Sequence, residues 1–146
     1  MAGPRKGKFK PRNPSKYAGN PNEIIYRSGW ERQLMSKFDQ RDDVVYWSSE
    51  EFYVPYYDPV NDHWRRYFPD FIVKVKTKDG GEKTFMIEVK PYKQTQEPTK
   101  PKRKSKRYLN EVATFGINKA KWEAAEKFCK KKDWQFKIVT EKDIKF

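Results

Sequence analysis

Hydrophobic residues recur at helical spacing in the first third of the chain. Ser28 and Glu31 have the spacing of a capping box, in which a serine and a glutamate bind the first free amides of a helix. Leu34 and Phe38 follow at helical intervals. The pattern therefore predicts an amphipathic helix over residues 28–40.

Strand patterns follow this helix. Residues 44–47 and 51–57 are rich in aromatic and β-branched side chains, which favour strands. Residues 66–76 and 82–90 alternate between apolar and polar side chains, as expected for strands with one covered face. The sequence Asp-Gly-Gly at 79–81 separates these two segments and predicts a hairpin with a loop of three residues.

The last third of the chain predicts helix and then strand. Residues 108–132 favour helix, with a break expected near Gly116, and residues 134–140 favour a closing strand. The predicted order is therefore αβββαβ. An early antiparallel hairpin and a late helical crossover indicate an α/β fold, with a mixed central sheet flanked by helices.

Positive charge is concentrated in two segments. The chain has 146 residues with 33 Lys plus Arg and 20 Asp plus Glu, a formal net charge of +13. Six basic residues and no acidic one lie in residues 1–22, and seven basic residues against one acidic residue lie in residues 91–107. Both segments are rich in proline, so we expect a flexible N-terminal arm at 1–22 and a basic loop at 91–107, attached to a domain at 23–146.

A polyanion is the partner that these two segments favour, because basic residues that neutralise phosphates release condensed counterions. The alternative is that they only keep the protein in solution. No stretch approaches the roughly 20 apolar residues of a membrane-spanning helix, so no membrane partner is expected. The candidate DNA-binding residues are Arg5, Lys6, Lys8, Lys10, Arg12, Lys16, Lys102, Arg103, Lys104, Lys106 and Arg107.

The scarcity of histidine and cysteine restricts the chemistry. The chain has one histidine, His63, and one cysteine, Cys129. One thiol excludes an internal disulfide and a cysteine-based zinc cluster, and one histidine excludes metal sites that need a histidine pair. Hydrolysis would therefore depend on carboxylates and lysine, together with a hard cation such as Mg²⁺.

One set of residues matches that requirement. Asp70 follows a proline at the start of a predicted strand, and Glu88 and Lys90 lie at the end of the next strand. Two carboxylates are suited to hold Mg²⁺ against a phosphodiester, and a lysine is suited to orient the attacking water. Alternation along the strand places Glu88 and Lys90 on one face, and a loop at 79–81 would place Asp70 opposite Lys90 and diagonal to Glu88.

Each of these residues also has an alternative explanation. Glu88 and Lys90 are equally explained by a surface ion pair, and Asp70 by a turn. Glu31 fits a capping box, and it also offers a third carboxylate to the site.

Longer stretches of the chain add a resemblance to these local patterns. The segments YRSGWE, RYFPDFIVK, MIEVKP and FKIVTEKDI, in this order, resemble the PD-(D/E)XK nuclease superfamily and its restriction-endonuclease-like fold. The arrangement is similar to the catalytic domain of the Tn7-type transposon endonucleases. With KFKPRNPSKYAGNP and NKAKWEAAEKFC included, it resembles the head-completion nucleases of T4-like tailed phages over nearly the whole chain.

The resemblance implies a function and a site. It implies a Mg²⁺-dependent DNA endonuclease, with Mn²⁺ as a substitute metal and exonuclease activity as a further option. Asp70 and Glu88 would be metal ligands, Lys90 would orient water, and Glu31 would complete the site.

The resemblance also implies a setting. The enzyme would process packaged double-stranded DNA before heads join tails, in the virion neck or in the host cytoplasm during assembly. Portal or neck proteins would be its partners. A non-catalytic DNA-binding neck protein and a junction-resolving or transposon-type endonuclease are the alternatives.

Overall fold

A computed structural model describes residues 6–143. Its central sheet has four strands in the order β3-β6-β7-β8, with β3, β6 and β7 antiparallel and β8 parallel to β7. This mixed sheet confirms the predicted restriction-endonuclease-like α/β fold. The elements are β1 (Gly7–Lys8), β2 (Ile25–Tyr26), α1 (Gly29–Gln40), β3 (Val44–Ser49), β4 (Val54–Asp58), β5 (His63–Tyr67), β6 (Phe71–Lys76), β7 (Glu82–Val89), α2 (Lys106–Lys132) and β8 (Gln135–Val139).

Both faces of the sheet are covered. On one face, α1 packs Leu34 and Phe38 against Trp47 and Phe71 of β3 and β6. On the other face, α2 and the two-stranded β4–β5 ribbon enclose a second cluster that includes Met86. Neither α1 nor α2 carries the long apolar stretch that crossing a bilayer needs.

Helix α2 is continuous, and the predicted break near Gly116 is wrong. A glycine inside a helix costs about 1 kcal/mol relative to alanine, which packing can offset. Trp122, Ala125 and Cys129 lie on the buried side of α2 and contact the sheet and the ribbon. Tertiary packing therefore keeps the helix intact through Gly116.

The predicted strand over residues 66–76 is two strands in the structure. β5 ends at Tyr67 and β6 begins at Phe71, and each pairs with a different partner. Pro69 lies between them and is buried. Because proline donates no ladder hydrogen bond, this position is where the chain leaves the ribbon and enters the central sheet.

Residues 6–22, the described part of the predicted N-terminal arm, make contacts with the rest of the domain, and the flexibility of the arm stays a prediction. Within the described part of this segment, β1 pairs with β2, and Tyr17 is only 6% exposed, with its ring 4.8 Å from that of Trp47. The Asp39 carboxylate accepts hydrogen bonds from the amides of Arg12 (2.8 Å) and Asn13 (3.0 Å). An aromatic contact and a buried carboxylate therefore hold this segment against α1 and β3.

Replacing Asp39 with alanine is expected to lower the free energy of unfolding by about 2 kcal/mol, because two backbone amides lose their acceptor. Thermal unfolding measures this loss, and trypsin cleavage among residues 6–16 reports detachment of the segment. Asp39→Asn keeps one acceptor oxygen and serves as the milder control. An unchanged unfolding temperature and unchanged proteolysis in Asp39→Ala would show that this carboxylate does not anchor the segment.

Candidate active site

The hairpin of β6 and β7 brings Asp70 and Glu88 together. Phe71 pairs with Ile87, and Lys76 pairs with Glu82. Continuing this register by one residue places Asp70 directly opposite Glu88. The expectation that Asp70 lies opposite Lys90 is therefore wrong by two residues along the strand.

The loop explains this difference. A hydrogen bond of 2.9 Å from the Thr77 amide to the Gly81 carbonyl closes a loop of three residues at 78–80, one position before the predicted loop at 79–81, and this displacement moves the register by two residues. The Asp79 carboxylate accepts hydrogen bonds from the Thr77 hydroxyl and the Gly81 amide, and Gly80 adopts a positive φ of 86°. A shift of two residues keeps side chains on the same face, so Asp70 and Glu88 still converge.

The face that carries Glu88 is the face covered by α2. Ile87 packs in the cluster on the α1 side, and Phe85 and Val89 pack against that cluster, whereas Met86 lies in the cluster on the α2 side. Glu88 follows Met86 by two residues and shares its side of the sheet. Its Oε2 accepts a hydrogen bond of 3.3 Å from the indole nitrogen of Trp122 in α2.

Asp70 and Glu88 form a buried pair of like charges. Oδ2 of Asp70 accepts a hydrogen bond of 2.7 Å from the Val89 amide, which fixes the carboxylate at the strand end. Burial raises the pKa of Asp70 well above its ordinary range, and the adjacent Glu88 carboxylate raises it further. Two carboxylates held together in this way favour a bound cation or a shared proton.

Tyr67 adds a third oxygen at this place. Its hydroxyl is buried beside Glu88, yet it makes no hydrogen bond of standard geometry within the described residues. Burial, with the charges of Glu88 and Asp70, raises the pKa of Tyr67, so the hydroxyl stays protonated. The Tyr67 hydroxyl is therefore a neutral donor beside the Glu88 carboxylate.

These oxygen donors fit a hard divalent cation. No three His, Cys, Asp or Glu side chains within residues 6–143 lie close enough to hold a metal ion on their own. Mg²⁺ seldom uses such a set, because it keeps several water molecules and binds through one or two carboxylates plus substrate phosphate. The pair of Asp70 and Glu88 is therefore suited to Mg²⁺ in the presence of a phosphodiester.

Lys90 extends the strand that carries Glu88. Its amide continues the ladder with a hydrogen bond of 3.0 Å to the Val139 carbonyl, and its side chain is half-buried.

The charges of Lys90 and Glu88 both act on Lys121 of α2, whose pKa is lowered mainly by burial. The Lys121 amine also lies over the Tyr67 ring, 5.8 Å from its centroid. A second cation, which the sequence did not reveal, thus lies beside the carboxylate pair.

Ser28 caps α1 as predicted, and the Glu31 carboxylate reaches back to the Ser28 hydroxyl and the Arg27 amide, where a standard capping box would use the Ser28 amide. The Glu31 amide donates to the Ser28 hydroxyl oxygen at 3.2 Å, and its Oε2 accepts from the same hydroxyl at 3.2 Å. Burial raises the pKa of Glu31, and Glu31 in turn raises the pKa of Asp70 through its charge. Glu31 therefore lies near the carboxylate pair, and its role as a metal ligand stays a prediction.

Arg27 and Glu50 lie on the Glu31 side of the site, and no sequence pattern identified them. The Arg27 guanidinium pairs with Glu50 at 3.1 Å, and the charges of Glu31 and Asp70 add to the rise in the pKa of Arg27. Glu50 has a left-handed backbone with φ of 53°, a strained conformation for a residue other than glycine. Such strain gives no periodic signal in a sequence.

The predicted DNA-binding residues lie mostly at the surface. Lys8, Lys10 and Arg12 line a shallow depression together with Arg32 of α1, whereas the Lys16 amine donates to the Arg41 carbonyl at 2.6 Å. Lys6, Lys102, Arg103 and Lys104 are exposed, and Lys106 and Arg107 form the exposed first turn of α2. Arg5 lies outside the described residues.

The class of protein follows from the fold and from a family model. Residues 41–141 match the family described as TnsA-like endonuclease N terminal, and the chain belongs to this family. Over 143 residues the chain is also 38% identical to the head completion nuclease of Enterobacteria phage T4, an alignment that covers 95% of this chain and 93% of the T4 protein. Both findings confirm the nuclease relationship that the sequence motifs indicated.

Proposed function

We propose that this protein is a metal-dependent DNA endonuclease that acts in phage head completion. The observation that carries the proposal is the direct pairing of Asp70 with Glu88 at the ends of two adjacent strands, with Lys90 two residues further on. The name of the T4 relative supports the setting, and the family supports the reaction class. Portal or neck proteins are the corresponding partners, in the host cytoplasm during assembly or in the virion neck.

Each residue of the site has a defined role in this proposal. Mg²⁺ or Mn²⁺ held by Asp70 and Glu88 would polarise the scissile phosphate and offset its developing charge. Trp122 orients the Glu88 carboxylate through its indole hydrogen bond. Lys90 positions the attacking water and stabilises negative charge on the phosphate. Glu31 would supply a further carboxylate if its cap opens.

Duplex DNA is the substrate that the surface charge favours. Exposed basic residues occur in both the N-terminal segment and the loop before α2. Contacts of this kind go to phosphates and are independent of base sequence. We therefore expect duplex binding to weaken steeply as salt concentration rises.

Supercoiled plasmid tests the proposed reaction. Wild-type protein is expected to nick and linearise the plasmid in Mg²⁺ or Mn²⁺ and to leave it intact in EDTA. Covalently closed circles and linear DNA with blocked ends have no free end for an exonuclease. Cleavage of these substrates therefore reports endonuclease activity. Protein that shifts DNA in a gel but never cuts it, with either metal, would contradict the enzyme and favour a structural neck protein.

The assembly role needs its own test. Filled phage heads that lack this protein are expected to join tails after wild-type protein is added, but not after addition of Lys90→Ala. Joining restored equally by both proteins would show that the role in assembly does not depend on DNA cleavage.

A further inference from the structure

The β4–β5 ribbon has one face that no residue in the described range 6–143 covers. Its two outward aromatic pairs are Tyr57 with Trp64, and Tyr53 with Phe68, and in each pair the ring centroids are 5.7 Å apart. We call these four side chains the aromatic stripe. On the opposite face of the same strands, Val54, Tyr56 and Tyr67 are buried against α2 and the sheet.

The exposure of the aromatic stripe exceeds what folding requires. Trp64 is 70% exposed, and the other three rings are between 42% and 45% exposed. Scattered apolar residues on a surface are common, but a contiguous aromatic patch marks an interaction site. The sequence of the ribbon alternates so that every second residue of β4 faces outward. The alternation of the strands therefore places the stripe on the outer face, and its exposure does not result from poor packing.

The charge on this face favours a nucleic acid as the occupant. Arg66 lies on the outer face, opposite Pro55, and its guanidinium is 5.1 Å from the centroid of the Tyr53 ring. The acidic residue of strand β4, Asp58, is fully buried on the inner face. Exposed rings together with arginine bind bases by stacking and phosphates by charge.

Unpaired nucleotides fit the stripe better than a duplex does. A duplex presents phosphates and groove edges, and its base faces are already stacked within the helix. An unpaired strand offers free base faces, and stacking on aromatic side chains depends little on base sequence. The two aromatic pairs are four residues apart along the ribbon, or about 13 Å at strand spacing.

The stripe begins next to the carboxylate pair. Phe68 precedes Asp70 by two residues along the chain, and Tyr67, on the inner face of the same ribbon, has its hydroxyl beside Glu88. DNA lying along the outer face of the ribbon would thus enter or leave the site at the Phe68 end. Because the stripe ends so near Asp70 along the chain, we expect its ligand to be the DNA that the site cleaves and not an unrelated molecule.

We propose that the aromatic stripe of the β4–β5 ribbon binds unpaired nucleotides next to the cleavage site, so that the enzyme prefers DNA with a single-stranded end, flap or gap. This inference rests on the proposed function and specifies the substrate class of the same site. The ribbon stacks the unpaired bases, and the basic segments hold the adjoining duplex.

Binding in EDTA tests the stripe without cleavage. Fluorescence anisotropy is measured with a labelled thymidine oligonucleotide and with a duplex of the same length, using the full chain. Trp64→Ala is expected to weaken oligonucleotide binding about tenfold and duplex binding less than twofold. Trp64→Phe keeps a stacking ring and is expected to restore most of the loss. The difference should persist at high salt, where phosphate contacts are weak.

A matched control is Leu109→Ala, which removes an exposed apolar side chain from α2 and is expected to change neither affinity. Equal oligonucleotide binding by wild type and Trp64→Ala would overturn the inference. An equal loss of affinity for oligonucleotide and duplex would also overturn it, because the ribbon would then be a general charge contact. A stripe variant that changes only the oligomeric state would overturn it as well, because the ribbon would then be a protein interface.

Cleavage assays separate this inference from the proposed function. If Trp64→Ala still cuts plasmid in Mg²⁺ but loses its preference for a flapped duplex over a plain duplex, both proposals are supported. If wild type and Trp64→Ala cut both substrates with the same preference, the stripe inference fails while the nuclease stands. If wild type binds the oligonucleotide through Trp64 but never cuts, the nuclease proposal fails and the binding site stands.

Discussion

Replacing Lys90 with alanine is expected to lower the rate of plasmid cleavage by roughly 10³-fold, because the site loses the cation that we propose positions water and stabilises charge on the phosphate. Lys90 is half-buried at the end of β7 and contributes its backbone, not its side chain, to the sheet ladder. The fold and the affinity for duplex DNA are therefore expected to change little. Initial rates of plasmid nicking in Mg²⁺ measure the effect.

Two further variants make this prediction specific. Glu88→Gln keeps the size of the side chain and an acceptor for the Trp122 hydrogen bond, but it removes a charge, and it is expected to lose as much activity as Lys90→Ala. Lys121→Ala removes the neighbouring cation and is expected to lose about tenfold. A loss below tenfold for Lys90→Ala, or one matched by Lys121→Ala, would show that Lys90 supplies only general positive charge.

Asp70→Asn is expected to abolish cleavage and, without metal, to raise the free energy of unfolding by about 2 kcal/mol at pH 8. Burial, together with the Glu88 carboxylate, raises the pKa of Asp70, so wild type must take up a proton on folding at this pH, whereas the neutral asparagine needs none and its side-chain oxygen still accepts the hydrogen bond from the Val89 amide. Added Mg²⁺ is expected to stabilise wild type and to leave Asp70→Asn nearly unchanged, because only wild type keeps both proposed ligands. Thermal unfolding in EDTA and in Mg²⁺ measures both effects.

The sign of the pH dependence follows from the raised pKa of Asp70. In EDTA the folded protein holds this proton more tightly than the unfolded chain does. The contribution of Asp70 to stability is therefore greatest below the unfolded pKa of about 4 and is lost as pH rises toward the higher folded pKa. Wild type without metal should thus lose stability from pH 5 to pH 8, and Asp70→Asn should lose less. Stability that changes with pH in the same way for wild type and Asp70→Asn would contradict the raised pKa of Asp70.

The fold was predictable where local patterns and tertiary packing agree. The capping box of Ser28 and Glu31, and the alternation along residues 82–90, identify α1 and β7 directly. The face shared by Met86 and Glu88 follows from the same alternation.

The remaining features depend on contacts between distant residues. Asp39 binds the amides of Arg12 and Asn13 across more than twenty residues, so the described part of a segment rich in proline and lysine contacts α1 without any local signal. The register of the β6–β7 hairpin depends on the side-chain hydrogen bonds of Asp79, which accompany a three-residue loop at 78–80 and not at 79–81. Trp122 reaches Glu88 only because α2 crosses the sheet at that strand. Periodicity along the chain contains none of this information.

The unbroken α2 helix also sets a length. Sixteen residues separate its basic first turn at Lys106 from Trp122, which binds Glu88. At 1.5 Å per residue this span is about 24 Å. A duplex that follows the helix axis and advances 3.4 Å per base pair covers it in about seven base pairs. If the duplex follows α2 in this way, the rigid helix sets a DNA footprint of at least that length on one side of the proposed cut.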